Sequence, residues 1–204
     1  MRSDPDAVLL DLDGTLVDTE GLWWEAAAAV AASLGRRLTR ADVPHVLGRT
    51  AADTAAHLLP GPAPDGAGAL AERLIDDYAA RLAGDVPVMP GAHALLTGLA
   101  AAAIPTALVS ASPRRVVDLL LPRLRHAFHL VITDEDTTRG KPHPDPYLEA
   151  ARRLGAAPGR CVAIEDSPAG VAAATAASCR VLVAGPSGLP SLARVRACLA
   201  DGAG

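Results

Sequence analysis

Two aspartates, Asp11 and Asp13, stand two residues apart directly after the first apolar run of the chain. Carboxylates this close repel one another, so their joint ionisation requires a cation. An ionised carboxylate beside a cation can attack phosphorus in line and form an aspartyl phosphate. We therefore predict that Asp11 is a nucleophile. Because the chain turns at Gly14, Asp13 can reach the leaving-group oxygen, and we predict that it acts as general acid and base.

A cation site is indicated by the acidic pair Glu165 and Asp166, which ends a later apolar run. The carboxyl ends of parallel strands meet at one edge of a sheet, which would bring this pair beside Asp11. Oxygen ligands select a hard ion such as Mg²⁺, which prefers one or two carboxylates together with a substrate phosphate. We predict Asp11 and Asp166 as direct ligands, with the backbone carbonyl of Asp13 as a third. Glu165 is expected to act through water.

A bound phosphate also needs donors and positive charge on its other oxygens. Ser110 follows the second apolar run, and Lys141 lies in the segment that follows the third. A hydroxyl and an ammonium are suitable partners for a phosphoryl group, so we predict that both bind phosphate. The turn at residues 111–113 opens a helix whose first amides are also expected to face the anion.

The elements that must position these residues follow from hydrophobic pattern. Short apolar runs without alternation, bounded by Gly, Pro or Asp, indicate strands buried on both faces. Five such runs occur, at residues 7–12, 105–110, 130–133, 161–165 and 180–184. Helical spacing lies between the later runs, at residues 113–124, 145–154 and 168–177, with Gly155 as a C-terminal cap. This alternation predicts an α/β fold with a Rossmann-like parallel sheet.

The segment between the first two strands is too long for one crossover helix, at roughly 90 residues. It contains three helical patterns, at residues 20–34, 51–59 and 70–82, and a Pro- and Gly-rich stretch at 60–66 that predicts an exposed loop. We predict that residues 16–87 form an inserted all-helical cap. Residues 1–15 and 88–204 then form the catalytic core, with a crossover helix at 92–102.

Composition excludes several partners. The net charge is −4, and no basic run with interleaved aromatic residues is present, which argues against nucleic acid. No apolar stretch reaches roughly 18 residues, and no signal-peptide core follows Met1, so we expect no membrane association and a cytoplasmic location. The three cysteines lack metal-ligand spacing and are expected to be free thiols. We expect a monomer or a weak homodimer that acts on a small molecule.

Four motifs, in this order, resemble those of the haloacid dehalogenase superfamily, in its phosphatase and phosphomutase branch with a helical cap. They lie at residues 11–19, 107–112, 139–142 and 164–170. The resemblance spans nearly the whole chain, and it implies a Rossmann-like core with Mg²⁺ and a phosphorylated Asp11. It also implies that the cap, residues 16–87, determines substrate specificity. Dehalogenases of the family lack the second carboxylate of the first motif. The presence of Asp13 therefore argues against dehalogenation.

Three residues of the predicted cap are candidates for substrate contact. The segment Gly48-Arg49-Thr50 resembles a short cap element that reaches into the active site in similar enzymes, so Arg49 is a candidate. Trp23 and Trp24 lie about 100° apart on one helix, which allows only one of them to face the cleft easily.

Together these features predict a Mg²⁺-dependent phosphatase that acts through an aspartyl phosphate on a small phosphorylated metabolite, of the sugar phosphate or phosphoglycolate type. A phosphomutase of the β-phosphoglucomutase type shares every motif and is the alternative. A catalytically silent binding protein on the same fold is a third interpretation, because fold does not fix function.

Overall fold

The computed structural model describes residues 4–59, 61, 64–185 and 187–200. Five parallel strands form one sheet: β1 (Ala7–Leu10), β2 (Thr106–Val109), β3 (Leu130–Ile132), β4 (Cys161–Glu165) and β5 (Arg180–Val183). Their order across the sheet is β3-β2-β1-β4-β5. The predicted α/β fold with a parallel sheet is confirmed, and each strand lies within its predicted run.

The helices are α1 (Glu20–Ser33), α2 (Val43–Val46), α3 (Ala51–Leu58), α4 (Pro64–Arg81), α5 (Ala92–Ala101), α6 (Arg114–Leu124), α7 (Asp145–Leu154), α8 (Pro168–Ala176) and α9 (Leu192–Ala200). Gly155 caps α7 in the left-handed conformation, as expected. One predicted boundary is wrong, because α4 begins six residues before Leu70, and the helices α2 and α9 were not predicted. Proline is well suited to the first turn of a helix, and this explains how the predicted loop can turn helical at Pro64. Pro60, Pro62 and Ala63 of that loop lie outside the described residues.

The sheet separates two apolar clusters because successive side chains of a strand point to opposite faces. In β1, Val8 and Leu10 belong to one cluster, whereas Ala7 and Leu9 belong to the other. Strands β1, β2 and β4 are wholly buried, which is why their sequences show no alternation. The register pairs Leu10 with both neighbouring strands, so the carboxyl ends of β1, β2 and β4 lie at one edge.

Between β1 and α5, the regular elements of the described residues are all helices, and none is a strand. The chain enters and leaves this segment side by side. The amide of Asp18 donates to the carbonyl of Pro87, and the amide of Met89 donates to the carbonyl of Leu16, both at 2.9 Å. The larger apolar cluster extends from the sheet into α1, α3 and α4, so the segment packs directly on the rest of the chain.

Two further expectations concern the cysteines and the membrane. Cys161 and Cys179 are buried free thiols. None of the helices within the described ranges combines the length and hydropathy that a membrane span requires.

Candidate active site

Lys141 joins two carboxylates at the centre of the sheet edge. Its Nζ atom donates to Oδ1 of Asp11 at 2.6 Å, to Glu165, and to the carbonyl of Val109 at 3.0 Å. Desolvation lowers the pKa of Lys141, but the charges of Asp11 and Glu165 outweigh it and raise this pKa above its ordinary value. The three donors of the ammonium group are thus matched by three acceptors. The side chain is a buried cation whose position is fixed on all sides.

Glu165 is fully buried, and both of its carboxylate oxygens are engaged. Oε1 accepts from Lys141 and from the hydroxyl of Tyr147, while Oε2 accepts from the amide of Asp166 at 3.2 Å and the hydroxyl of Ser167 at 3.3 Å. A carboxylate with four donors has little capacity left for a metal ion. This arrangement suits Glu165 to orienting Lys141.

The oxygens of Asp11, Glu165 and Asp166 include a set that lies within 4.8 Å of one another. Oδ2 of Asp11 is buried and has no hydrogen-bond partner within the described ranges. Oδ1 of Asp166 accepts from Thr15 at 3.0 Å. A buried carboxylate oxygen without a donor is costly unless a cation is present. The donor set is therefore suited to a hard divalent ion bound between Asp11 and Asp166.

Burial makes these carboxylates hold protons more strongly. Desolvation, followed by the charge of Glu165, raises the pKa of Asp166 to about 6. The same two causes, together with Asp166, raise the pKa of Asp11 well above its ordinary value, although Lys141 opposes the shift. A cation would compensate the crowded negative charge.

Asp13 accepts hydrogen bonds from four hydroxyl groups. Oδ1 accepts from Thr19 at 2.9 Å and from Tyr78 at 2.6 Å. Oδ2 accepts from Ser112 at 2.9 Å and from Ser110 at 3.2 Å. The Asp13 carboxylate is therefore not part of the acidic cluster around Asp11, and its two oxygens face different sets of donors.

The first amide of α6 already donates to a side-chain carboxylate. The amide of Arg114 donates to both oxygens of Glu135, at 2.9 and 3.1 Å, and Pro113 before it has no amide hydrogen. Within the turn, the amide of Ser112 donates to the hydroxyl of Ser110 at 3.0 Å. Glu135 therefore occupies the amide of Arg114, and the expectation that other amides of this turn face an anion stays a prediction.

A cavity opens between this edge of the sheet and the helical segment. From the sheet edge it is lined by residues that include Asp11, Asp13 and Lys141, and from the helical segment by Glu20, Trp23, Leu47, Arg49, Ile75 and Tyr78. Trp24 does not line this cavity and packs against the larger apolar cluster instead. The structure thus places Arg49 and Trp23 at the cavity wall.

Gly48 brings the helical segment against the sheet edge. Its φ is +67°, and a Cβ atom there would stand 2.8 Å from Cβ of Ser167. Gly140 lies against Thr50 in the same way: a Cβ atom added to Gly140 would stand 3.2 Å from the methyl group of Thr50. The residues around Arg49 therefore come close to the carboxyl edge of the sheet, which carries Asp11, Asp13 and Asp166 and is called the catalytic edge below. A larger side chain at either glycine would prevent this close approach.

Sequence reasoning did not single out the two tyrosines of this region. The chain has only two tyrosines, Tyr78 and Tyr147. Each donates its hydroxyl to a carboxylate of the site, Tyr78 to Asp13 and Tyr147 to Glu165. Their rarity in a chain poor in aromatic residues was a signal that could have identified them.

Matches to known proteins assign the chain to a family. A family model of haloacid dehalogenase-like hydrolases matches residues 5–178. The chain belongs to this family. Hexitol phosphatase A of Escherichia coli (strain K12) is 36% identical over 200 residues, which cover 92% of this chain and 87% of that protein. These matches confirm the predicted enzyme class, a phosphoric monoester hydrolase of the haloacid dehalogenase type.

Solved structures agree with the fold. CbbY from Rhodobacter sphaeroides, in complex with phosphate, is 27% identical with a TM-score of 0.77, and the match covers 88% of this chain and 86% of that one. β-Phosphoglucomutase from Clostridium difficile has a TM-score of 0.85 over 97% of this chain and 98% of that one. At 20% identity the latter likeness shows the fold alone. The Rossmann-like core is confirmed.

Proposed function

We propose that this hydrolase is a Mg²⁺-dependent phosphatase that removes phosphate from a small, hydroxyl-bearing monoester through an aspartyl phosphate at Asp11. The observation that carries the proposal is the asymmetry of Asp11. Its Oδ1 is held by the Lys141 ammonium, whereas its buried Oδ2 has no partner within the described residues. Such a carboxylate can present Oδ2 to a metal ion, while Oδ1, which the Lys141 ammonium orients, attacks phosphorus.

In the proposed reaction, Oδ1 of Asp11 attacks phosphorus and the ester P–O bond breaks. The leaving oxygen takes a proton from Asp13, which is then a carboxylate. Asp13 next removes a proton from water, the water oxygen attacks the aspartyl phosphate, and phosphate and free Asp11 result. Lys141 is assigned to supply positive charge beside the transferring phosphoryl group, and Ser110 to turn its hydroxyl from Asp13 to a phosphoryl oxygen.

For Mg²⁺, Asp11 and Asp166 are the proposed direct ligands, with the Asp13 carbonyl as a third. When bound, the ion supplies positive charge that offsets repulsion between the carboxylates and the phosphate. Glu165 is assigned a supporting role, because its oxygens are occupied by Lys141, Tyr147 and local donors. It holds the ammonium group rather than the ion.

The cavity wall favours a substrate with one phosphate and a neutral, hydroxylated body. Trp23, Leu47 and Ile75 provide apolar surface, while Glu20 and Arg49 can bind hydroxyl groups. Burial, followed by the charges of Asp18 and Asp13, raises the pKa of Glu20. An acidic group in the wall disfavours a second phosphate. A hexitol phosphate, the substrate type in the name of one relative, meets these requirements.

The alternative, a phosphomutase, makes a different demand on the cavity. Transfer of the phosphoryl group from Asp11 to a second hydroxyl of a monophosphate creates a bisphosphate, whose other phosphate needs its own cations. Among the described wall residues, the cations are Lys141 and Arg49. Lys141 is already paired with two carboxylates, and Arg49 uses its Nε to donate to the carbonyl of Pro44 at 3.1 Å. Hydrolysis is therefore the favoured function.

A phosphate-release screen tests the proposal. The protein is incubated with Mg²⁺ and a panel of hexitol phosphates, hexose phosphates, phosphoglycolate and sugar bisphosphates, with EDTA controls. We expect release from a monophosphate that requires the metal. Assay of a hexose 1-phosphate for its 6-phosphate isomer tests the mutase alternative. Absence of release from every ester, or isomerisation faster than release, would overturn the proposal.

A further inference from the structure

The hydroxyl of Tyr78 connects the helical segment to the acid–base residue. It donates to Oδ1 of Asp13 at 2.6 Å, between residues 65 positions apart. Tyr78 lies on α4, which belongs to the predicted cap, and only 2% of it is exposed. Thr19, Ser110 and Ser112, the other donors to Asp13, lie outside α4. This bond is a direct link between α4 and the catalytic edge.

The two oxygens of Asp13 have different surroundings. Oδ1 is held by Tyr78 and Thr19, whereas Oδ2 faces Ser110 and Ser112. In the proposed function Ser110 donates to the phosphoryl group, so the hydroxyls at Oδ2 are the ones that a bound ester would engage. Oδ2 is then the oxygen available for proton transfer, and Oδ1 is the oxygen that fixes the side chain.

We propose that Tyr78 is a positioning residue that holds Oδ1 of Asp13, so that Oδ2 meets the leaving-group oxygen only when α4 is packed against the catalytic edge. This inference rests on the proposed phosphatase function and assigns to the predicted cap a part in proton transfer. A carboxylate that can rotate freely reaches the productive geometry less often, and a displacement of about 1 Å can cost roughly 100-fold in rate.

Neighbouring groups restrain Tyr78 in this role. The indole ring of Trp23 meets its ring edge-on, with centroids 5.2 Å apart and an interplanar angle of 71°. The indole Nε1 of Trp23 donates to the carbonyl of Val46 at 2.8 Å, which fixes the indole in turn. Burial, reinforced by the charge of Asp13, raises the pKa of Tyr78, so the phenol stays a donor. Both rings line the cavity, where an occupant would contact the same side chain that holds Asp13.

The leaving group provides the test. An alkyl phosphate needs its leaving oxygen protonated, whereas 4-nitrophenyl phosphate releases a stable anion that needs little general-acid help. We compare kcat/KM for the best alkyl monoester of the screen and for 4-nitrophenyl phosphate, in wild type, Tyr78→Phe and Tyr147→Phe. Phenylalanine keeps the packing of either ring. Tyr147→Phe is the matched control, because this variant also loses one buried hydroxyl, but one that contacts Glu165 instead of Asp13.

We expect Tyr78→Phe to lower kcat/KM by about 10- to 100-fold for the alkyl ester and by less than about 3-fold for the aryl ester. Tyr147→Phe is expected to lower kcat/KM by the same factor for both esters, because the Tyr147 hydroxyl affects Lys141 through Glu165. Equal losses of Tyr78→Phe on the two esters would overturn the positioning role.

A double-mutant cycle separates positioning from direct substrate binding. If Tyr78 acts through Asp13, Tyr78→Phe has no further effect on alkyl kcat/KM once Asp13→Asn is present. A further loss in that background would mean that Tyr78 contacts the substrate itself, which contradicts the proposal. Wild-type protein that releases phosphate from neither ester would overturn the proposed function and this inference together. Wild-type activity without the selective loss overturns only the role of Tyr78.

Discussion

The ammonium of Lys141 lies 2.6 Å from Oδ1 of Asp11, across 130 positions of sequence. Lys141 is the only lysine of the chain, which otherwise uses arginine as its basic residue. An ammonium is a compact cation with three donors, whereas a guanidinium is a larger planar fork. Asp11, Glu165 and the carbonyl of Val109 surround this one buried position closely. This position therefore suits the compact ammonium of a lysine better than the larger guanidinium of an arginine.

Replacement of Lys141 tests this requirement. Lys141→Met leaves two buried carboxylates without their cation, and we expect the free energy of unfolding to fall by about 3–5 kcal/mol. Lys141→Arg keeps the charge but does not fit the three acceptors, so we expect loss of phosphate release with part of the stability retained. Urea unfolding measures the stability of each variant, and the phosphate-release assay measures its activity. Arg152→Lys, in an exposed ion pair, is the control and should change stability by less than about 0.5 kcal/mol. Full activity of Lys141→Arg would contradict the geometric argument.

Asp11→Asn removes the proposed nucleophile with little change in shape. We expect phosphate release to fall by about a thousandfold or more, because the amide cannot form an aspartyl phosphate. Circular dichroism should show an unchanged fold. Asp118→Asn, at an exposed carboxylate on α6, is the matched control and should retain activity. Retained turnover in Asp11→Asn would rule out Asp11 as the nucleophile.

Protons and Mg²⁺ are expected to compete for Asp11 and Asp166. Folding raises the pKa of Asp166 from 3.8 to about 6. A carboxyl whose pKa rises on folding contributes stability below its unfolded pKa, and this contribution is lost as the pH rises through the folded value. Mg²⁺ binds the ionised form and offsets that loss. The increase in Tm caused by Mg²⁺ should therefore be small near about pH 5 and larger near about pH 7.5.

Differential scanning calorimetry with and without Mg²⁺ checks this prediction. Asp166→Asn should remove most of the effect of the metal at both pH values, because a proposed ligand is lost. An equal Mg²⁺-induced rise in Tm at the two pH values would show that these carboxylates do not bind the ion.

Gly48 tests the approach of the helical segment to the catalytic edge. Gly48→Ala introduces a Cβ atom 2.8 Å from Cβ of Ser167, so the segment must move away. Gly35→Ala is a matched control, since its φ of +72° imposes similar backbone strain while nothing lies within 4 Å of the added atom. Both variants should lose about 1 kcal/mol of stability from the positive φ. Only Gly48→Ala should also lose kcat/KM, by about tenfold or more. Equal activity in the two variants would show that this close contact does not matter for turnover.

The sheet and its catalytic edge could be predicted because their signals are local. Unbroken apolar runs identify buried strands, and polar residues that end such runs must meet at the carboxyl edge of a parallel sheet. Asp11, Asp13, Ser110, Lys141 and Asp166 were found in this way, and the structure brings all five to that edge. The helix α9 could also have been predicted, since Leu192, Val195 and Leu199 have helical spacing, whereas α4 was shortened because Pro64 resembles a loop residue.

The residue types at the site could be recognised from the order of amino acids, but the atoms that each of them contacts follow only from the packed fold. No local pattern shows that Glu165 is occupied by Lys141 and Tyr147, that Glu135 blocks the amide of α6, or that Tyr78 holds Asp13. The physical reason is that a hydrogen bond depends on the position and direction of individual atoms. These partners lie far apart in sequence, so only packing of the helices on the sheet fixes their geometry.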